Sequence, residues 1–488
     1  MDHRRTGPAR RLSGWAVFLG TVLVVAASVP PASAAVPLTT VSQDPFSNTS
    51  SYHKTQVEPD TFAFGSTIVA VFQTGRFSDG GSDDIGWATS ANAGASWTNG
   101  FMPGTTVYAT PPGPYARVSD PSVAYDPKHD VWLGLSLTVD TKDTVIVNRS
   151  VDGGLTWSNP VVVSTPAGSA DYDKTWIACD TLSSSPNYGT CYATWDDYVH
   201  SDTIMLSRST DGGKTWSAST VAPAHGLGGQ PVAQPNGNVV VPFLADASQI
   251  ESLVSTDGGK TYAGPYTVSS QTDHGVVGFR TEPLPSAETD AKGRVYLVWQ
   301  DCRFRTGCSA NDVVMSTSKN GRTWSKVVRI PIDATNSTVD HFLPGIGVDR
   351  TTSGASAHLA LTYYFYPKAN CTLATCKLDA GYVSSTDAGA TWTAPTRLLG
   401  PIKLAWLPDA GGRFVGDYVS TSIVGGGALT VIANASAGTC VLGNITSCHE
   451  NMVAPAAALP VAGGGRRAIA PPVRATHSDH AVRFGPVL

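Results

Sequence analysis

Short runs of alternating apolar and polar residues recur along the chain, and Gly, Asn or Asp bounds each run. Such alternation predicts half-buried strands joined by turns. Seven segments share one plan, in which a polar residue opens a strand, a turn follows, and a second apolar strand comes next. They are VEPDTFAFGSTIVAVFQ (57–73), SDPSVAYDPKHDVWLGLS (119–136), DKTWIACD (173–180) leading to CYATWDD, GQPVAQPNGNVVVPFL (229–244), TEPLPSAETDAKGRVYLVWQD (281–301), HFLPGIGVD (341–349) and GDYVSTSIVGGGALTVIAN (416–434).

A second repeat, with the pattern S-x-D-x-G-x-T-W, follows most of these segments. Its six copies are SANAGASW (90–97), SVDGGLTW (150–157), STDGGKTW (209–216), STDGGKTY (255–262), STSKNGRTW with its core at Ser318 to Trp324, and STDAGATW (385–392). The Asp can accept backbone N–H groups and close a tight turn, and the Gly can adopt a positive φ. The Thr and the aromatic residue then re-enter a strand. We therefore expect these boxes to be folding elements at hairpin tips, not catalytic groups.

The two repeats together predict an all-β protein in which each repeat forms one four-stranded sheet. The expected architecture is a β-propeller, with seven blades as the main prediction and six as the alternative. Because the seventh segment lacks a box, we expect it to borrow a strand from the segment after residue 36 and so close the ring. The expected divisions are a signal peptide at 1–35, the propeller at 36–454 and a flexible tail at 455–488.

The two ends of the chain differ from the rest in composition. Four arginines precede the apolar run WAVFLGTVLVVAASV, and ASA follows at 32–34, which is the order of parts in a signal peptide. This pattern predicts a secreted protein; an uncleaved anchor is the alternative, and both the general and the twin-arginine export route are open. The segment from about Pro455 is rich in Ala, Pro and Gly without periodicity, which predicts a flexible tail.

The net charge and the cysteine content indicate which partners and which covalent cross-links to expect. The net charge is −5 with no basic patch, so we expect no nucleic-acid partner. Beyond the predicted signal peptide no segment is long and apolar enough to span a bilayer, so we expect no membrane association, and we also expect a monomer. The eight cysteines fall into four close pairs, Cys179/Cys191, Cys302/Cys308, Cys371/Cys376 and Cys440/Cys448. In an exported chain these pairs predict local disulfides, and a zinc site is the weaker alternative.

In a propeller the first strand of each blade lines the central channel, so the residues that open those strands converge. They are Glu58, Asp120, Asp173 with Lys174, Gln230, Glu282, His341, and Asp417 with Tyr418. Carboxylates that meet in one concavity shift one another's pKa values, as acid–base chemistry needs. The alternative is that some of them only bond backbone groups. No cofactor is predicted, apart from the option of Ca²⁺ held by Asp120, Asp173 and Asp417.

The boxes are those known as Asp-boxes or BNR repeats, and the chain resembles the sialidase superfamily. Residues 65–97 are similar to the first sialidase blade, which implies that Arg76 binds substrate and that Asp83, or its neighbours Asp79 and Asp84, supplies the acid/base group. Residues 281–304 resemble the blade that carries a catalytic Glu and an Arg, which implies Glu282 and either Arg303 or Arg305. The stretch GDYVSTS (416–422) resembles the strand of the Tyr nucleophile, which implies Tyr418.

One stretch departs from the sialidase pattern. Sialidases begin with F/Y-R-I-P, whose Arg clamps the sugar carboxylate, but the aligned stretch here is QVEP (56–59). Glu58 therefore stands where that Arg would be, and an anion repels a carboxylate. Arg350 and Arg397 are only loosely placed as a third Arg of the clamp.

Three functions follow from these residues. The first is a secreted exo-glycosidase that cleaves a terminal sugar from extracellular glycans. The second is a polysaccharide lyase that acts on uronates with His341, His53 or Tyr418 as base. The third is a glycan-binding propeller without catalysis, in which TYYFY (362–366) would hold sugar.

Overall fold

The computed structural model describes residues 36–468, apart from 246–247. The predicted signal peptide and residues 469–488 of the predicted tail lie outside the described residues. The described chain confirms the all-β prediction, because its only helices are four single 3-10 turns at Tyr198–His200, Thr306–Cys308, Gly354–Ser356 and Leu404–Trp406. No helix among these residues is both long and apolar enough to cross a membrane.

Strand β1 (Leu38–Thr40) is followed by six units of four antiparallel strands. Unit 1 contains β2 (Tyr52–Phe64), β3 (Thr67–Arg76), β4 (Ser82–Ser90) and β5 (Thr98–Phe101); unit 2 contains β6 (Arg117–Asp126), β7 (Val131–Val139), β8 (Val145–Ser150) and β9 (Val161–Ser164). Unit 3 contains β10 (Tyr172–Cys179), β11 (Cys191–Asp197), β12 (Thr203–Ser209) and β13 (Thr220–Leu227). Unit 4 contains β14 (Val232–Ala233), β15 (Val239–Ala245), β16 (Gln249–Ser255) and β17 (Ala263–Ser270); unit 5 contains β18 (Ser286–Thr289), β19 (Val295–Asp301), β20 (Asp312–Ser318) and β21 (Val328–Arg329). Unit 6 contains β22 (Asp340–Val348), β23 (Leu359–Tyr366) and β24 (Lys377–Ser385), and beyond the short β25 (Thr391–Trp392) it ends with β26 (Thr396–Lys403).

A seventh unit combines both ends of the described chain. It consists of two three-stranded sheets. One contains β27 (Ser422–Val424), β28 (Gly427–Leu429) and β31 (Leu459–Pro460), and the other contains β29 (Ile432–Ala435), β30 (Glu450–Pro455) and β1. Strand β1 pairs with β30, with Leu38 opposite Pro455, so the strand expected after residue 36 does join this unit. Strand β32 (Arg466–Arg467) pairs with β25 of unit 6. Residues 455–468, the described part of the predicted tail, therefore carry β31 and β32.

Each box closes a hairpin through one recurring set of hydrogen bonds. In the second box, Ser150 Oγ donates to Asp152 Oδ1, and the backbone N–H groups of Leu155 and Thr156 donate to the same oxygen. Burial alone would raise the pKa of Asp152, but the hydrogen bonds from Thr156 and Ser150 lower it to about 2. Gly154 has a φ of 82°. These contacts are internal to the turn, which agrees with a folding role for the boxes.

All four predicted cysteine pairs are disulfides, which confirms the local connectivity. Cys179–Cys191 links β10 to β11, whereas the other three close the loops that follow β19, β23 and β29. The first and second strands of a unit are antiparallel, so the second strand ends beside the start of the first strand. These three loops therefore lie at the end of the sheets where the first strands begin.

The hydrophobic core lies between neighbouring units. One cluster packs Leu133 and Leu135 of unit 2 against Ile177 and Trp195 of unit 3. Hydrogen bonds from side chains also join the units in series, and the seventh unit to the first. The donor and acceptor pairs are Val123 N–Asp60 Oδ2, Lys174 N–Asp120 Oδ2, Thr194 Oγ1–Gly229 O, Ala287 N–Gln230 Oε1, Ile346 N–Ser286 Oγ, Thr421 Oγ1–Gly345 O and Thr61 N–Ser420 Oγ.

Candidate functional site

The first strands of units 1, 2 and 3 carry bulged residues with a positive φ, and one of these in each strand opens toward the same place. The residues are Glu58 (55°), Asp120 (47°) and Lys174 (51°). The pairing register of each strand shifts at that residue. A bulge re-aims a side chain, and a non-glycine residue in this region costs about 1–3 kcal/mol, which surrounding contacts must offset. The bulges bring these three side chains toward one another at the start of the first strands.

A buried ion-pair network connects Lys174 to the residues just before β27. The Lys174 ammonium lies 2.8 Å from Asp417 Oδ2 and 3.1 Å from Asp173 Oδ2. Arg280 donates to both oxygens of Asp417, at 3.2 Å from Nε and 2.7 Å from Nη2. Burial alone would raise the pKa of Asp417, but Arg280 and Lys174 hold it well below its usual range. Asp417 is therefore an ionised carboxylate with two cations on it.

Glu58 is buried beside this network and contacts mainly neutral groups. The amide of Gln73 donates to Glu58 Oε2, and the backbone N–H of Asp417 donates to Oε1 at 3.3 Å. Burial, together with the charges of Asp120 and Asp417, raises the pKa of Glu58 well above its usual value. The group at the position of the sialidase Arg is thus a buried carboxyl that favours its protonated form.

Arg76 lies next to Glu58 but bonds to neutral acceptors. Its Nη1 donates to Gly81 O at 3.0 Å and to Gln73 Oε1 at 3.3 Å. Its guanidinium carbon lies 5.1 Å from the ring centroid of Phe414, and that of Arg280 lies 4.8 Å from the same ring. Phe414, which is fully buried, therefore holds both arginines by cation–π contacts.

Two carboxyl groups lie at the exposed edge of this network. Glu282, on the connection before β18, is partly exposed, and its Oε2 has no hydrogen-bond partner among the described residues. Burial raises the pKa of Glu282 to about 6, with Asp417 adding to the shift and Lys174 and Arg280 opposing it. The side chain of Asp173 is 29% exposed. Burial would raise its pKa, but Lys174 and a hydrogen bond from Asp120 lower it.

The central cluster, as we define it, comprises Glu58, Arg76, Asp120, Asp173, Lys174, Arg280, Glu282 and Asp417. It unites most of the residues that the sequence placed at the channel. Asp120 is buried, and burial with the charge of Asp173 raises its pKa to about 6. The cluster thus contains carboxyl groups whose pKa values are shifted in opposite directions.

Tyr418 lies under the cluster with its hydroxyl already engaged. The phenol donates to the carbonyl of Pro121 at 3.0 Å, and its ring meets Trp176 edge-to-face with the centroids 5.0 Å apart. Burial, with the charges of Glu58 and Asp120, raises the pKa of Tyr418 well above its usual value. In this arrangement the hydroxyl is a hydrogen-bond donor to the backbone.

Three of the predicted site residues bond elsewhere. Asp83 accepts hydrogen bonds from Asn48 and Ser51, both at 2.7 Å. Arg303 forms an ion pair with Asp301 at 2.6 Å. His341 contacts the carbonyl of Asn311 at 3.3 Å and packs on Tyr363 and Phe365. In β22 the bulged residue is Leu343, with a φ of 47°, so His341 lies two residues ahead of the position that faces the cluster.

The residues proposed for Ca²⁺ do not fit that ion. Lys174 lies among them, with its backbone N–H 2.7 Å from Asp120 Oδ2 and its ammonium on Asp173 and Asp417. The lysine already supplies the positive charge that Ca²⁺ would bring. Ligand atoms of Asp312, Asp333 and His341 also lie within 4.8 Å of one another. Arg305 and Arg329 neutralise the two aspartates there, at 2.5 Å and 2.7 Å from Asp312.

Sequence reasoning missed three residues of this region: Arg280, Phe414 and Asp196. Arg280 and Phe414 lie on connections outside both repeats, and the only signal for Arg280 is its place two residues before Glu282. Asp196 is the second-last residue of the apolar strand β11, lies opposite Asp173 and is 1% exposed. Neither of its carboxylate oxygens has a hydrogen-bond partner among the described residues.

Two cavities adjoin the first strands. One lies against the cluster and is lined by residues that include Lys174, Trp176, Gln230, Asp417 and Tyr418. The other is lined by residues nearer the far ends of the first strands, including Asp60, Phe62, Glu288 and Arg350, and Trp176 lines both. The first cavity has a volume of about 20 Å³ and places the carboxylate of Asp417 in its wall.

Residues 142–345 match the family described as BNR repeat-like domain. This match confirms the resemblance to BNR-repeat proteins that the boxes predicted. No curated protein matches the sequence.

Several solved structures are similar to the chain at low identity. The intramolecular trans-sialidase from Ruminococcus gnavus is 11% identical, with 66% of this chain and 92% of that chain covered and a TM-score of 0.45. The NanB sialidase from Streptococcus pneumoniae is 12% identical, with coverages of 87% and 71% and a TM-score of 0.41. An ulvan lyase of a polysaccharide lyase family is 10% identical, with coverages of 85% and 95% and a TM-score of 0.45.

Proposed function

We propose that the protein is an exported exo-glycosidase of sialidase-like type, which cleaves a terminal sugar from an extracellular glycan at the central cluster. One observation carries this proposal. Glu282 and Asp173 lie at the exposed edge of the cluster, and their pKa values are shifted in opposite directions. Glycoside hydrolysis typically uses one protonated and one ionised carboxyl group. The group whose surroundings raise its pKa stays protonated, and the group whose surroundings lower its pKa is ionised.

The proposed architecture is a seven-bladed propeller in which each unit is one blade. The side-chain hydrogen bonds between neighbouring units support seven blades over six, because they run through all seven units and return from Ser420 to Thr61. The pairing of β1 with β30 supports a closed ring, since it joins the two ends of the described chain in one sheet.

In the proposed mechanism Glu282 is the general acid. A carboxyl group with a pKa of about 6 keeps a proton in mildly acidic solution and can give it to the leaving oxygen. Asp173 is the ionised partner, because its side chain is partly exposed while Lys174 stabilises its charge. Asp417 positions Lys174 and Arg280. Tyr418 forms the cavity wall, since its hydroxyl would have to leave Pro121 before it could act as a nucleophile.

Export is part of the proposal and has its own support. All eight cysteines are paired in disulfides, and none is free. Disulfides of this kind form and persist in oxidising compartments outside the cytosol. The signal peptide at 1–35 remains a prediction from sequence.

The test is the substitution Glu282→Gln in the mature protein, assayed on a panel of fluorogenic aryl glycosides. We expect turnover to fall by about 100-fold or more, because an amide cannot donate the proton, while the melting temperature stays near that of the wild type. The matched control is Glu288→Gln, on the side chain paired with Arg350 in the other cavity, which should retain turnover.

Full activity of the Glu282→Gln variant would contradict this assignment. A parallel assay on uronate glycans separates hydrolysis from elimination. Growth of ultraviolet absorbance from an unsaturated product would replace the hydrolase with a lyase.

A further inference from the structure

We propose that one edge of the face around the central cluster binds an anionic lipid bilayer. This basic apolar edge belongs to units 6 and 7 and combines four exposed aliphatic residues with three lysines: Leu373, Val441, Leu442, Ile445, Lys368, Lys377 and Lys403. The binding is peripheral, and it would hold whether or not the central cluster cleaves a sugar.

Two disulfide loops hold the aliphatic side chains of this edge out in solvent. Leu373 lies in the loop closed by Cys371–Cys376 and is 57% exposed. The other three lie in the loop closed by Cys440–Cys448 and are 42–49% exposed. The cross-links restrict the conformations that loops of this length can adopt. The aliphatic side chains therefore stay together at the surface, and such a group marks an interaction site.

The two loops lie on either side of the 3-10 turn Leu404–Trp406. On one side, the backbone N–H of Cys440 donates to the carbonyl of Ala405 at 2.9 Å. On the other side, a Cβ placed on Gly278 would lie 2.5 Å from a methyl group of Leu373 and 3.8 Å from one of Leu404. The exposed apolar residues of units 6 and 7 thus belong to one continuous surface.

The lysines of this edge carry charges that no carboxylate of the protein neutralises. Lys377, the first residue of β24, lies directly opposite Lys403, the last residue of β26. Lys368 follows β23 and is exposed. None of the three forms an ion pair within residues 36–468 as the structure describes them. Like charges directly opposite each other in a sheet repel, and an anionic partner would relieve that repulsion.

The carboxyl groups around this edge are engaged or neutral. Asp379 forms an ion pair with Arg397. Glu450 follows the second disulfide loop and is fully buried, and burial raises its pKa well above the usual value, so that it favours the protonated form. Asp409 is exposed and lies opposite Arg413 in a short antiparallel bridge. The edge is therefore locally basic although the net charge of the chain is −5.

Aliphatic side chains beside lysines fit a lipid surface better than other anionic partners. Leu, Ile and Val have no hydrogen-bonding groups for a polysaccharide, but they can enter the acyl boundary while lysines contact the headgroups. Two-fold pairing of two copies through this edge would bring its lysines close to their own counterparts. The Lys403 ammonium lies 5.6 Å from the ring centroid of Trp406, so cationic and apolar groups meet at this edge.

The orientation of the bound protein follows from the position of the edge. Both disulfide loops lie at the end of the sheets where the first strands begin, which is also the end that carries the central cluster. Docking would therefore turn the cluster toward the bilayer. The expectation of no membrane association rested on the lack of a spanning segment, which peripheral binding does not need.

The experiment is co-sedimentation of the mature protein with vesicles of phosphatidylcholine alone, and of equal parts of phosphatidylcholine and phosphatidylglycerol. We expect binding to the anionic vesicles only. It should weaken as salt is added, because screening reduces the attraction between the lysines and the headgroups. Absence of binding to the anionic vesicles at low salt would overturn the proposal.

Two double variants test whether this edge makes the contact. Lys377→Gln/Lys403→Gln should weaken binding to anionic vesicles by about tenfold or more, because each lysine near an anionic surface contributes about fivefold. Leu442→Ser/Ile445→Ser should weaken it by about tenfold or more, because it removes the side chains that enter the acyl boundary. Melting temperatures close to that of the wild type would show that both variants are folded.

The matched controls lie in the boxes, which follow the third strands and so lie at the opposite end of the sheets. Lys214→Gln/Lys260→Gln removes two exposed lysines there, and Val151→Ser/Leu155→Ser removes two exposed aliphatic side chains. Both should bind anionic vesicles like the wild type. Weakening as large as that of the edge variants would overturn the proposal.

Two further measurements examine other partners for the same edge. Sedimentation velocity without vesicles detects pairing of two copies, and retention on immobilised dextran sulfate detects binding of an anionic polysaccharide. A dimer that Leu442→Ser/Ile445→Ser abolishes, without vesicle binding, would assign the edge to a second copy. Retention that depends on Lys377 and Lys403 but not on Leu442 and Ile445, without vesicle binding, would assign it to a polysaccharide. Either result would overturn the lipid assignment.

Discussion

The ammonium of Lys174 lies 2.8 Å from the carboxylate of Asp417, although 243 residues separate them in sequence. Their side chains are 4% and 1% exposed. The contact joins the first strand of unit 3 to the residues that open the seventh unit. Because the network is buried, loss of Lys174 leaves Asp173 without its ion-pair partner and Asp417 with Arg280 as its remaining cation.

Removal of the Lys174 charge should destabilise the whole protein. We expect Lys174→Met to lower the free energy of unfolding by about 3–5 kcal/mol in urea titrations. The exposed Lys142 offers the control Lys142→Met, which should stay close to the wild type. The double variant Lys174→Met/Asp417→Asn should lose less than the sum of its single variants, because it removes both charges. An unchanged unfolding midpoint for Lys174→Met would contradict the buried pair.

The activity should fall as the pH rises through the pKa of Glu282. A general acid works only while protonated, and the pKa of Glu282 is raised to about 6 by burial. The measurement is kcat/KM from pH 4 to pH 9 on an uncharged aryl glycoside, so that the substrate does not titrate. A profile that stays level up to pH 8 would assign the proton donor to another group.

The stability of the protein should fall between about pH 4 and pH 7 because of Asp60. Burial raises the pKa of this carboxyl to about 7 in the folded state. A raised folded pKa means that its contribution is complete below the unfolded pKa and is lost as pH rises through the folded value. Asp60→Asn should therefore flatten the dependence of the unfolding free energy on pH, by at most about 4 kcal/mol across this range. Asp79→Asn, on an exposed side chain, should keep the wild-type slope, and an equal slope in both variants would exclude Asp60 as its source.

Loss of a box aspartate should affect stability but not catalysis. Asp211 accepts the backbone N–H groups of Lys214 and Thr215, both at 3.0 Å, and the Thr215 hydroxyl at 2.6 Å. Asp211→Ala should lower the free energy of unfolding by about 1–2 kcal/mol with unchanged turnover. Asp211→Asn should lose less, because Asn92 makes the corresponding backbone contact in the first box, with Ser96. A fall in turnover in stably folded Asp211→Ala would argue for a catalytic role of the box.

The features that sequence predicted best are those set by neighbouring residues. The Asp or Asn, the Gly, and the Thr or Ser of each box lie within one turn, so their types alone determine the hairpin. The cysteine pairs are separated by 12 residues or fewer, which makes local disulfides the simplest choice. The start of each first strand could also be located in the sequence, because a polar residue precedes an apolar run there.

The site was predicted only in part, because its assembly depends on bulges and on long connections. Glu58, Asp120 and Asp417 do meet, yet alternation alone gives no sign that a bulge in β22 leaves Leu343, and not His341, facing the cluster. Arg280 reaches Asp417 from a connection between units 4 and 5 that follows neither repeat. Its contribution depends on the path of a loop, which residue patterns do not specify.

The pairing of β1 with β30 also sets an order of events during synthesis. Leu38–Thr40 leaves the ribosome before every other described strand, but its partner Glu450–Pro455 is among the last to be made. The backbone groups of the earliest strand therefore bond to solvent until almost the entire chain has been made. A chain that ended before residue 450 would contain the four strands of each of the first six units but would lack the strand that pairs with β1.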